Sequence, residues 1–138
     1  MKVALLFSGK LGDWEECSDS IFENIIKPLN PDIFLTTWEG ENVDKFIEIF
    51  KPVSSRLLNF KDCMKLLKPK ELIRESSKGL IPMLAGMKSV HSLYREYEQE
   101  KSISYDVVIR LRPDIQILEV VNQEQINDCI ESKCISLP

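Results

Sequence analysis

"KVALLFSGKLGDWEEC", residues 2–17, sets the fold. The run up to Phe7 is apolar without alternation, the pattern of a strand covered on both faces in a parallel sheet. It enters Ser8-Gly9-Lys10-Leu11-Gly12, and then Asp13 followed by Glu16 reads as a capping-box-like helix start. Trp14, Cys17, Ile21 and Ile25, with Phe22 and Ile26, give that helix an apolar stripe as far as about Lys27. Pro28 and Pro31 are expected to end it, and Asp32-Ile33-Phe34-Leu35-Thr36-Thr37-Trp38 forms the next strand. Strand, helix and strand in this order favour a parallel pair joined by a right-handed crossover.

Working outward, residues 43–50 read as helix and Ser55 to Phe60 as a short strand. Residues 61–79, rich in Lys and Leu and broken by Pro69 and Gly79, read as short helical turns on a mobile surface segment. Apolar residues recur at helical spacing from Pro82 to about Lys101, with His91 expected as a partly buried histidine beside Val90 and Tyr94. The neighbouring Glu96, Glu98 and Glu100 read as helix-surface charge. Tyr105 to Leu111 is the third clear strand, followed by a helix near 122–131 and a short strand at 134–137. The class is α/β, in one domain over residues 1–138.

A chain of 138 residues can bury roughly two thirds of its unfolded surface. Its net charge of −4 and pI near 5.1 give no global field favouring nucleic acid or an anionic membrane. An anionic ligand therefore needs a local basic cluster. No apolar run approaches the roughly 20 residues that span a bilayer, and Val3 to Phe7 is too short for a signal-peptide core. A cytoplasmic chain is expected. Cys17, Cys63, Cys129 and Cys134 lack metal-ligand spacing and read as reduced structural thiols.

The sharpest chemical signal is "YDVVIRLRPD", residues 105–114. Alternation puts Tyr105, Val107, Ile109 and Leu111 on one face, and Asp106, Val108, Arg110 and Arg112 on the other. Ligands of open α/β sheets bind beyond the carboxyl ends of the strands, which is where Arg110, Arg112 and Asp114 emerge. Guanidinium forks suit phosphate oxygens. A structural Arg–Asp pairing at the sheet edge is the competing reading. The Ser8–Gly12 loop ends the first strand on the same side but fits neither a P-loop nor a dinucleotide fingerprint. Asp13, Glu15 and Glu16 occupy the helix start that would otherwise attract phosphate. That leaves a plain turn, or close approach of a base or ribose to Gly9 with Lys10 near a phosphate. Thr36, Thr37 and Trp38, at the end of the second strand, are candidates for the same crevice.

Three blocks together, "KVALLFSGKLGDWEEC", "PLNPDIFLTTW" and "YEQEKSISYDVVIRLRPDI", resemble viral and bacterial nucleotide-sugar glycosyltransferases with a GT-A-type fold. The resemblance covers most of the chain. It implies a Rossmann-like, mostly parallel sheet that binds a nucleoside-diphosphate sugar and transfers the sugar to a glycan acceptor. Donor contacts are then expected from Ser8, Gly9, Lys10, Thr37, Arg110, Arg112 and Asp114, with Asp114 as the metal ligand for Mn²⁺ or Mg²⁺. Two positions depart from the family pattern. Gly12 stands near the place where members often carry an arginine, and the usual Asp-x-Asp reads Arg112-Pro113-Asp114. Asp106 cannot replace the missing carboxylate, because eight extended residues span about 26 Å. The resembling enzymes continue into a portion that shapes the acceptor site and commonly supplies a base. The alternatives are therefore a non-catalytic nucleotide-sugar-binding or assembly module, and a homodimer that completes the site. A flavodoxin-like signalling domain fits less well, since Ser8-Gly9 is not an acidic pocket.

Overall fold

A computed structural model describes residues 1–65 and 75–132. Among these residues, four strands form one parallel sheet: β1 (Val3–Ser8), β2 (Asp32–Trp38), β3 (Ser54–Leu58) and β4 (Val107–Leu111), in the order β3-β2-β1-β4. β1 is central and buried along its whole length, as its unalternated apolar run requires. Leu5 aligns with Ile33 on one side and Ile109 on the other. The chain leaves β1 toward β2 and β3, then returns across the sheet to place β4 on the far side of β1. This is a Rossmann-like α/β arrangement, and its strand order reverses between β1 and β4. Connections leaving such a point diverge to opposite faces and open a crevice at the carboxyl ends.

One face packs Val3, Leu5 and Phe7 against α1 (Trp14–Ile21), α3 (Asp44–Phe50) and α6 (Gln123–Ser132). Its densest part is aromatic: Phe7 meets Phe46 edge-to-face at 5.4 Å, and Phe46 stacks on Phe50 at 4.3 Å. The other face packs Ala4, Leu6 and Phe34 under α5 (Glu75–Lys101), through Val90, Leu93 and Tyr94. α4 (Phe60–Lys65) follows β3.

The first helix starts after Asp13, as read from the sequence. However, Asp13 makes no side-chain capping bond, and its backbone carbonyl accepts the Glu16 N–H instead (3.1 Å). Pro28 does not end the helix. α1 continues through a π-helical turn (Phe22–Ile26) into α2 (Lys27–Leu29), and the chain turns at Asn30 with φ +44°. Pro28 has no N–H for the Asn24 carbonyl one turn back, so that carbonyl accepts from Val121 (2.8 Å). Asn24 Nδ2 donates to the Ile117 carbonyl (2.6 Å), and the Ile117 N–H donates to Ser20 Oγ (3.1 Å). The segment after β4 is thereby laid along the first helix.

The remaining boundaries need modest correction. α5 begins at Glu75 rather than Pro82 and carries Pro82 in its interior. β4 begins at Val107, with Tyr105 buried just before it. Glu98 is buried rather than surface charge: it accepts from the Tyr105 N–H (2.8 Å) and from Arg95 (2.7 Å). His91 is exposed and meets the Tyr94 ring edge-on. The reading of 134–137 as strand, and residues 66–74 of the Lys-rich segment, lie outside the described residues. Cys17 and Cys63 are free thiols. Among the described residues no helix is long and apolar enough to cross a membrane.

Candidate functional site

At the carboxyl end of the sheet, β1 and β4 bring together two residues over a hundred positions apart. Arg110 Nε donates to Ser8 Oγ at 3.0 Å, and Ser8 is buried. Among the described residues Arg110 has no carboxylate partner. Arg110 is exposed at the strand end, and partial desolvation, then the neighbouring Arg112 guanidinium, push its pKa down. An incoming anion would offset the repulsion between the two guanidinium groups.

The loop leaving β1 is pinned to β2 by its backbone. The Gly9 N–H donates to the Thr36 carbonyl (3.2 Å), and Thr37 Oγ1 donates to the Gly9 carbonyl (2.8 Å). Thr37 is only 1% exposed, so its hydroxyl supports the loop from beneath. Gly9 sits at φ +112°, a conformation open chiefly to glycine, and a Cβ there would meet nothing within 4 Å. Its backbone thus borders open space where another molecule can approach closely.

That space is a cleft of about 870 Å³, within the range of small-molecule sites. Lys10, Arg110 and Arg112 form its basic side. Trp38, Phe60, Pro82 and Met83 form an apolar wall, with the Trp38 and Phe60 rings edge-to-face at 5.7 Å. Glu39 and Glu41 add an acidic margin, where Glu39 accepts from Asn59 Nδ2 at 2.7 Å. Ser8, Gly9, Lys10, Arg110 and Arg112 therefore converge on one cleft, whereas Thr37 stands behind it.

Asp114 is engaged differently. Its Oδ1 accepts from Arg112 Nε (3.0 Å) and its Oδ2 from Arg112 Nη2 (2.8 Å), a bidentate fork. The structural pairing weighed against phosphate binding thus holds for Arg112 and not for Arg110. For a divalent cation the donor set does not fit. Both carboxylate oxygens of Asp114 are engaged by Arg112, whose guanidinium charge opposes a cation at that position. No cluster of three or more His, Cys, Asp or Glu side chains suited to a metal forms among the described residues.

Sequence reasoning named Trp38 as a crevice candidate but missed the rest of the apolar wall. Phe60 and Met83 come from α4 and α5, and neither has a local signal separating it from ordinary packing residues. Glu39 and Glu41 were visible only as the turn after Trp38.

The fold and the site define a Rossmann-like α/β protein with a basic crevice at its strand-order reversal. Comparison with protein-family models, curated proteins and solved structures finds no match to the chain.

Proposed function

We propose that the chain is a glycosyltransferase-like protein that binds a nucleoside-diphosphate sugar in this crevice and transfers the sugar to a glycan or other acceptor. The observation that carries the reading is Arg110: a cation with no carboxylate partner among the described residues, oriented by buried Ser8 where the strand order reverses. A diphosphate suits it, because two adjacent guanidinium groups with Lys10 nearby match a ligand with several anionic oxygens. The open backbone at Gly9 suits close approach of the ribose or base. As the bond from the anomeric carbon to the diphosphate oxygen breaks, negative charge grows on that oxygen. Guanidinium groups already in place stabilise it without reorganisation. The proposed charge stabilisation comes from the chain's own side chains.

Calorimetric titration with UDP-, GDP- and dTDP-sugars, each with and without Mn²⁺, tests the donor site. Saturable binding to at least one donor, weakened by Arg110→Ala, is expected. Absence of saturable binding to all of them overturns the reading. Product detection with glycan acceptors separates transfer from binding alone.

A further inference from the structure

The two loops at the mouth of the crevice touch through Gly12 and Asp114. Gly12 has φ +53°, and a Cβ built on it would lie 2.9 Å from Asp114 Oδ2, 3.1 Å from its Cβ and 3.3 Å from its Cγ. Asp114 is the more buried partner of its pair: its side chain is 22% exposed, against 59% for Arg112. Even alanine at position 12 would push on the carboxylate itself, not on the far end of a flexible chain.

We infer that Asp114 is a positioning residue, seated in a notch that only glycine at position 12 leaves open, and that it aims Arg112 across the mouth of the crevice. The inference rests on the proposed diphosphate site and assigns Asp114 a role other than metal ligation. The fork shows how the aim is set. Asp114 takes the Nε and Nη2 side of the guanidinium. An arginine has five N–H donors, so the Nη1 group and the second Nη2 hydrogen lie outside that fork. They form the end of the guanidinium, the edge suited to a second bidentate acceptor such as a diphosphate. Asp114 in turn is held by the chain around it. Pro113 beside it is fully buried, and the segment beyond is tied to α1 through Ile117 and Ser20. The β1 loop and the arginine strand thus act as one unit, joined where the sequence shows only a second glycine in a turn.

Charge and position predict opposite signs, which makes the inference testable with inorganic pyrophosphate. If Asp114 acted only through its charge, Asp114→Asn would remove a negative group beside the ligand and tighten binding. Acting as a positioning residue, it loosens binding by roughly three- to tenfold when changed to Asn, because Arg112 loses its fixed fork. Gly12→Ala leaves every charge in place and is expected to weaken pyrophosphate in the same sense. In the ligand-free protein, the Arg112 Nε–H resonance should stand apart from solvent-averaged arginines and join them in Asp114→Asn. That signature requires no ligand, so it separates failure of this inference from failure of the diphosphate reading. Tighter binding by Asp114→Asn, or an Arg112 resonance unmoved by it, overturns the positioning role. Should Gly12→Ala not fold, Asp114→Asn alone decides.

Discussion

The two ends of β4 solve opposite problems. At the entrance, the polar groups around Tyr105 are paired inside the protein. Tyr105 hydroxyl donates to Asp32 Oδ2 (2.7 Å), its N–H donates to buried Glu98, and Arg95 completes the carboxylate's partners. At the exit, a few residues later, Arg110 rests on a serine hydroxyl and faces open space. The entrance is built like a core, where an unpaired polar group would be costly. The exit leaves Arg110 without a carboxylate among the described residues, an arrangement that contributes little to folding and becomes favourable with an anion in place. One short strand therefore separates a stabilising end from a binding end.

That contrast is breakable, beginning with the largest effect. Glu98→Ala strips the entrance of its central acceptor and leaves the Tyr105 N–H buried without a partner. Denaturant unfolding should show a loss of about 2–4 kcal/mol, with ligand affinity of the folded protein unchanged. A matching loss of affinity would mean the two ends are not separable. Arg110→Ala should do the reverse. Nucleoside-diphosphate affinity is expected to fall roughly ten- to a hundredfold, while unfolding free energy stays within about 0.5 kcal/mol of wild type.

Tyr105→Phe sharpens the entrance further. Burial first, and then the hydrogen bond to Asp32, raise the Tyr105 pKa far above its ordinary 10.0. The folded state therefore holds this proton more tightly than the unfolded chain does. The resulting stability is fully present below pH 10 and is lost as pH rises above it. Tyr105→Phe is expected to lower stability by about 1 kcal/mol at neutral pH and to unfold less steeply than wild type in alkaline titration. Equal alkaline slopes would remove Tyr105 from the account. The smallest effect belongs to Arg56, whose ion pair with Glu96 is exposed on both sides. Arg56→Ala should change stability by less than about 0.5 kcal/mol, and a larger change would undermine the distinction between buried and solvated pairs.

β1 and β2 were legible in the sequence, because burial on both faces leaves a largely apolar run, and β2 matches its reading from Asp32 to Trp38. β3 is half-exposed and ends at Leu58, so Phe60, read as its last residue, begins α4 instead. The helix boundaries were less legible. Pro28 and Pro82 carry a local breaking signal, yet both sit inside helices. For Pro28 the orphaned Asn24 carbonyl finds a partner almost a hundred residues away, which no local pattern announces. The convergence of Ser8-Gly9-Lys10 with Arg110 and Arg112 followed from strand polarity alone, since parallel strands deliver their ends to one side. What could not be read was which polar residue faces inward. Glu98 looked like one of several surface acids, Thr37 like a crevice residue, and Gly12 like a flaw in a loop. Each role depends on a neighbour distant in sequence.

The most direct test of the diphosphate crevice is calorimetric titration of UDP against uridine, and of GDP against guanosine, in wild type and Arg110→Ala at low ionic strength. At least one diphosphate should bind wild type saturably and at least about tenfold more tightly than its nucleoside, with Arg110→Ala abolishing most of that difference. Equal affinity for nucleoside and diphosphate, or an undiminished preference in Arg110→Ala, would contradict the account.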